Sequence, residues 1–136
     1  MNALHDSVRK RDHSALAACI VAGADTDEYD NGGSTALSVA CYHGLVEMAR
    51  TLVGDGFADV DKADDSRRTP LFIAVQQGNF RVVRYLVSEA GADVNKGNYY
   101  GRGPLYVASQ RNHVAIVRYL LEERAVDVFK ANNQGW

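Results

Sequence analysis

The chain is poor in proline, cysteine and tryptophan, with two, two and one of these among its 136 residues. Cys19 and Cys41 are too few to staple a disulfide scaffold, and they suit a reducing compartment. Long apolar runs are also missing. The longest nearly uncharged stretch, Ala15 to Ala24, falls far short of the roughly 20 residues a bilayer span requires. Met1 to Asp6 has no basic segment followed by an apolar one, so no secretion signal is read there. Neither sign of charge dominates: 15 Lys and Arg stand against 17 Asp and Glu, for a net charge of −2. That balance gives no bulk attraction to nucleic acid or to an anionic membrane. These absences point to an intracellular protein, cytoplasmic or nuclear, with no membrane partner and with nucleic acid disfavoured.

What the sequence does have is a period. Leu37, Leu71 and Leu105 recur every 34 residues, each directly after Ala36, Pro70 or Pro104. The same step takes Gly44 to Gly78 and Asn112, and Ala58-Asp59-Val60 to Ala92-Asp93-Val94 and Val126-Asp127-Val128. A fixed period of this size means a stacked array of small supersecondary units, whose core is a seam between neighbours and not a central ball.

Thr69-Pro70-Leu71-Phe72-Ile73-Ala74, Gly78-Asn79, Tyr85-Leu86-Val87 and Gly91-Ala92-Asp93-Val94-Asn95 carry a specific resemblance to the ankyrin-repeat family. The resemblance implies an all-α repeat solenoid in which each unit is a helix-turn-helix plus a β-hairpin finger. By register, 1–136 is a single domain: an N-terminal capping repeat at 1–29, repeats at 30–63, 64–97 and 98–131, and the start of a fifth at 132–136. The chain departs from the family in three ways. Units two to four carry an extra residue before the second turn, at Gly56, Ala90 and Arg124. Ser38, Phe72 and Tyr106 replace the histidine that follows the family's Thr-Pro-Leu, and Gly103 replaces the threonine. The hydrogen bonds of that Thr–His pair are therefore expected to be missing.

Within unit three, Thr69 and Pro70 read as the N-cap and first residue of a helix. Leu71, Ala74 and Val75 face the seam at helical spacing, and small Ala74, like Ala40 and Ala108, lets two helices approach. Gly78 ends the first helix, and Val82, Val83, Leu86 and Val87 form the buried side of the second. Asp93 and Asn95 are expected to bond local backbone in the finger. Helices this short lie below the roughly 12–15 residues needed for independent stability, so a lone unit should not fold. At the N-terminal end, His5, Arg9, Lys10, Arg11 and Asp12 are expected to point outward as a polar cap. At the other end, Val107, Ile116 and Leu120 are expected to face a neighbour that the chain does not supply in full. Truncation of a longer array is the favoured reason, with a partner, a second copy or the tail through Trp136 as alternatives.

Candidate chemistry dissolves into the repeat. Gly32-Gly33-Ser34-Thr35 lacks the lysine of a phosphate-cradling loop and reads as a turn and N-cap. Cys41 and His43 lie two apart on a helix and cannot meet, while Cys19 reads as a buried free thiol. His5, His13, His43 and His113 fall in different units without ligand spacing, so no metal or other cofactor is expected. No catalytic residues are read, and the chain is not taken for an enzyme.

The resemblance implies a protein or peptide partner, held on the concave groove made by finger tips and the exposed side of each first helix. Mapped by register, that groove comprises Arg9, Lys10, Tyr29, Tyr42, His43, Arg68, Gln76, Gln77, Tyr99, Tyr100, Arg102, Gln110, Arg111 and Trp136. Tyrosine, arginine and tryptophan dominate interface hot spots, which singles out Tyr99-Tyr100 beside Arg102 and Arg111. The leading reading is a non-catalytic interaction scaffold. Alternatives are a targeting segment of a larger multidomain enzyme or effector, nucleotide or RNA binding by stacking on the Tyr-Arg row, and self-association through the C-terminal edge.

Overall fold

The computed structural model describes residues 2–122 and contains eight helices in that range. They alternate in length. The inner helices are α1 (Ala3–Arg9), α3 (Ala36–Tyr42), α5 (Pro70–Gln76) and α7 (Pro104–Gln110), of seven residues each. The outer helices are α2 (His13–Val21), α4 (Val46–Gly54), α6 (Phe80–Ser88) and α8 (Val114–Glu122), of nine residues each. Each inner helix packs on the outer helix that follows it. Inner helices also stack on inner and outer on outer, giving two parallel layers. Ala40, Ala74 and Ala108 are fully buried where the layers meet, and Leu37, Leu52, Leu71, Leu86 and Leu120 fill the seam.

Each inner helix starts where the sequence offers a cap. Thr35 Oγ1 accepts from the Ser38 N–H at 3.1 Å, and Thr69 Oγ1 accepts from the Phe72 N–H at 3.1 Å. Gly103 offers no side chain, so α7 begins with Pro104 alone. The extra residue of the later units also has a visible place. In unit one the Ala24 N–H reaches back five residues to the Cys19 carbonyl. In units two and three the Ala58 and Ala92 N–H groups reach back six, to the Leu52 and Leu86 carbonyls. The longer closure absorbs the insertion after the helix and leaves the helical register intact.

Several expectations need correction. His5 does not point outward: it is completely buried, and its Nε2 donates to the Ser34 carbonyl at 2.8 Å. It stands 33 residues before Ser38, in the position of the family histidine, so the first unit keeps an inter-unit bond, and in the second unit Thr35 Oγ1 still donates to Ser38 Oγ at 3.0 Å although the histidine is replaced. Arg9, Lys10, Arg11 and Asp12 are exposed as expected. Cys19 is only half-buried, whereas Cys41 is fully buried and burial pushes its thiol far above the ordinary range. Val107, Ile116 and Leu120 are buried, so they do not form an open apolar edge; Val114 and Leu121 are the large apolar residues of α8 that are exposed.

The fingers are present as tight turns, each closed by one backbone bond, from Asp30 to Ser34, Asp64 to Arg68 and Asn98 to Arg102, and no strand extends from them among the described residues. Side chains compete for the backbone groups that a strand ladder would use. Asp30 Oδ1 takes the N–H groups of Gly32 and Ser34, Asp64 Oδ1 those of Ser66 and Arg68, and Asn98 Oδ1 those of Tyr100 and Arg102. The resulting tight tips are tied to one another further along the chain. Asp27 Oδ1 accepts from the Asp59 N–H at 2.8 Å, and Asp61 Oδ1 accepts from the Asp93 N–H at 3.0 Å.

A second set of ties joins the helix ends. Asn79 Nδ2 donates to the carbonyls of Cys41 and Tyr42, and His113 Nε2 donates to the carbonyl of Gln76. Gly78 serves this junction in two ways: its φ is +74°, and a Cβ there would lie 2.8 Å from His113 Cε1. Gly78→Ala should therefore destabilise the protein by more than about 1 kcal/mol, measured as a lowered urea midpoint. A midpoint equal to wild type would show that the His113 contact does not hold units three and four together.

Candidate functional site

The turn tips and the C-terminal ends of the inner helices form one row, and most of the sequence-derived positions lie along it. At the first unit, the exposed Arg9 pairs with Asp30 across the unit boundary, and Lys10 is the exposed C-cap of α1. Tyr29 is exposed, yet its hydroxyl donates to the Ala63 carbonyl at 2.6 Å and the Lys62 ammonium sits 5.2 Å from its ring centre. Arg9 and Tyr29 both line a hollow of about 740 Å³ beside α1. In unit two, Tyr42 and His43 are exposed and meet edge to face at 5.0 Å. Cys41 is fully buried, whereas His43 is exposed.

In unit three, Arg68 is held by Asp64 at 2.8 Å, and its Nη1 lies 3.5 Å from Gln76 Oε1. Gln77, Gln110 and Arg111 are exposed at the following helix ends. Trp136 lies outside the described residues.

The fourth tip concentrates the chemistry. Tyr99 and Tyr100 are 67% and 64% exposed, and their rings stand nearly perpendicular at 5.6 Å. Arg102 Cζ lies 5.3 Å from the centre of the Tyr100 ring and 5.1 Å from that of Tyr106. Arg67 Cζ, from the neighbouring tip, lies 5.5 Å from the Tyr99 ring. Guanidinium groups over tyrosine faces gain quadrupole attraction while their N–H edges stay available to a ligand. A cleft of about 440 Å³ opens beside the two tyrosines, lined by Asp65, Ser66, Arg68, Asn98, Tyr99 and Tyr100.

Sequence reasoning missed two members of this cluster. Arg67 was passed over for its neighbour Arg68, and Tyr106 was read only as a substitute for the family histidine. The signal for Arg67 was available in the repeat: it occupies the place of Gly33 and Gly101, and all three have positive φ, of 60°, 77° and 72°. A side chain kept where glycine fits without cost is one worth asking about. Arg111, expected beside the tyrosines, is exposed but makes no ring contact with them.

The family model described as ankyrin repeats (3 copies) matches residues 4–98 and again 58–132, and the chain belongs to that family. Ankyrin repeats are generally protein–protein interaction modules, and the family is typically non-catalytic. No curated protein matches the chain. No helix among the described residues is long and apolar enough to cross a membrane.

Asp30 gives the row a pH dependence. Burial alone would push its carboxyl up, but the N–H groups of Ser34 and Gly32 and the Arg9 guanidinium outweigh it and hold the carboxyl below the ordinary range. A carboxyl lowered on folding adds stability above its unfolded value of about 3.9 and loses it as pH falls through the folded value. Asn98 shows that an amide can hold the same turn. Urea titrations should therefore show wild type more stable than Asp30→Asn at neutral pH, with the gap closing below about pH 4. A gap that stays constant through the acid range would contradict this role for Asp30.

Proposed function

We propose that the chain is a non-catalytic interaction scaffold that holds a protein or peptide partner on the row of turn tips and inner-helix ends. Tyr99 and Tyr100 carry the reading. They are large, exposed and oriented by one another, and guanidinium groups stand over both rings. Exposed aromatics of this size on a rigid tip offer contact area at low entropic cost, which is the usual make-up of an interface hot spot. The tips are rigid because their N–H groups are already satisfied by Asp30, Asp64 and Asn98, so little ordering remains to be done on binding. Arg9, Tyr29, Tyr42, His43, Gln76, Gln77 and Gln110 extend the same surface toward the first unit and along the inner-helix ends. The compartment is proposed to be cytoplasmic or nuclear.

The test uses a partner captured on the intact chain and then titrated in purified form by calorimetry. Joint replacement of Tyr99, Tyr100 and Arg102 by alanine should weaken binding by about 2 kcal/mol or more. Unchanged affinity, with the helical content of the variant intact, would place the partner surface elsewhere.

A further inference from the structure

We propose that the Tyr99–Tyr100 patch takes an acidic peptide segment of its partner, whose carboxylates pair with the guanidinium groups of Arg67 and Arg102. This inference rests on the patch being the partner surface. Its ground is a single exchange within the repeat. Asp64 and Asn98 occupy equivalent positions, and each accepts the same two N–H groups of its tip. In the third unit the remaining oxygen of Asp64 also neutralises Arg68, four residues on, at 2.8 Å. In the fourth unit Arg102 stands four residues beyond Asn98, and the amide holds the turn without cancelling the charge. Arg102 turns instead onto the rings of Tyr100 and Tyr106.

Arg67 adds a second free cation. Among the described residues only Arg9, Arg50 and Arg68 have carboxylate partners, and of the remaining arginines Arg67 and Arg102 are the ones that stand over the rings of the patch. Arg67 is also held at a φ of 60°, a conformation costing about 1 kcal/mol for a side chain that glycine avoids. The acidic group of the cleft, Asp65, lies against Gly33 of the preceding tip. Around the tyrosines the two guanidinium groups of Arg67 and Arg102 thus outnumber the single exposed carboxylate of Asp65. A guanidinium whose face is covered by an aromatic ring presents its N–H fork edgewise, which suits bidentate pairing with a carboxylate.

The full chain should select, from a random dodecamer library displayed on phage, peptides rich in Asp and Glu. Synthetic copies should bind at least about tenfold more weakly when those residues are changed to Asn and Gln. Asn98→Asp should restore the pairing seen at Arg68 and weaken the acidic peptides by about tenfold, while its thermal unfolding matches wild type. Arg102→Gln gives the same readout should Asn98→Asp perturb folding. Neutral or basic winners that still require Tyr99 and Tyr100 would overturn the acidic preference and leave the interaction surface standing. Winners indifferent to alanine at both tyrosines, or no winners at all, would overturn both readings. Salt-dependent binding of a single-stranded oligonucleotide to the patch in place of peptides would also overturn the proposal.

Discussion

Everything in this structure depends on the fact that no unit can bury its own apolar side. Helices of seven and nine residues are too short to persist in water, and a single pair leaves the seam residues of both helices exposed. Stacking inner on inner and outer on outer is what makes Leu52, Leu71, Leu86 and their equivalents inaccessible to solvent. Apolar burial is non-directional, so it does not fix the rotation of one unit against the next. Polar ties do that: His5 to Ser34, Asn79 to Cys41 and Tyr42, His113 to Gln76, and the aspartate contacts between successive tips. Each tie satisfies a backbone group at a helix end or turn, where one left unpaired would be costly.

The same economy shapes the surface. A tip whose N–H groups are already occupied by an Asp or Asn side chain needs no strand partner, so its outer residues are free to vary. The second unit places Asn31 and Gly32 there, the third Asp65 and Ser66, and the fourth Tyr99 and Tyr100. Because the hub can be Asp or Asn without loss of the turn, its charge can be chosen for what it does to the arginine four residues later. Local folding and local electrostatics are thus decoupled at one position.

The sequence made the fold legible because the period is carried by residues with separate physical jobs. Thr69 caps, Pro70 starts, Ala74 permits close approach and Gly78 turns, and each was readable alone. The exposed tyrosines were readable because they sit at tip positions by register. What could not be read were effects that depend on the neighbouring unit. His5 was expected outward as part of a polar N-terminal cap; its acceptor is Ser34, 29 residues away in the next unit. The fingers were expected as hairpins because the family implies them; each closes with one backbone bond, and the Asp and Asn hubs take the N–H groups that a longer ladder would need. Arg67 was overlooked because its contact is to a ring in the next unit.

The dependence of each unit on its neighbours is tested most directly by circular dichroism on an isolated peptide of residues 64–97 alongside the whole chain. The peptide should lack helical signal and a cooperative melt, while the whole chain shows both. A peptide that folds cooperatively alone would contradict that dependence.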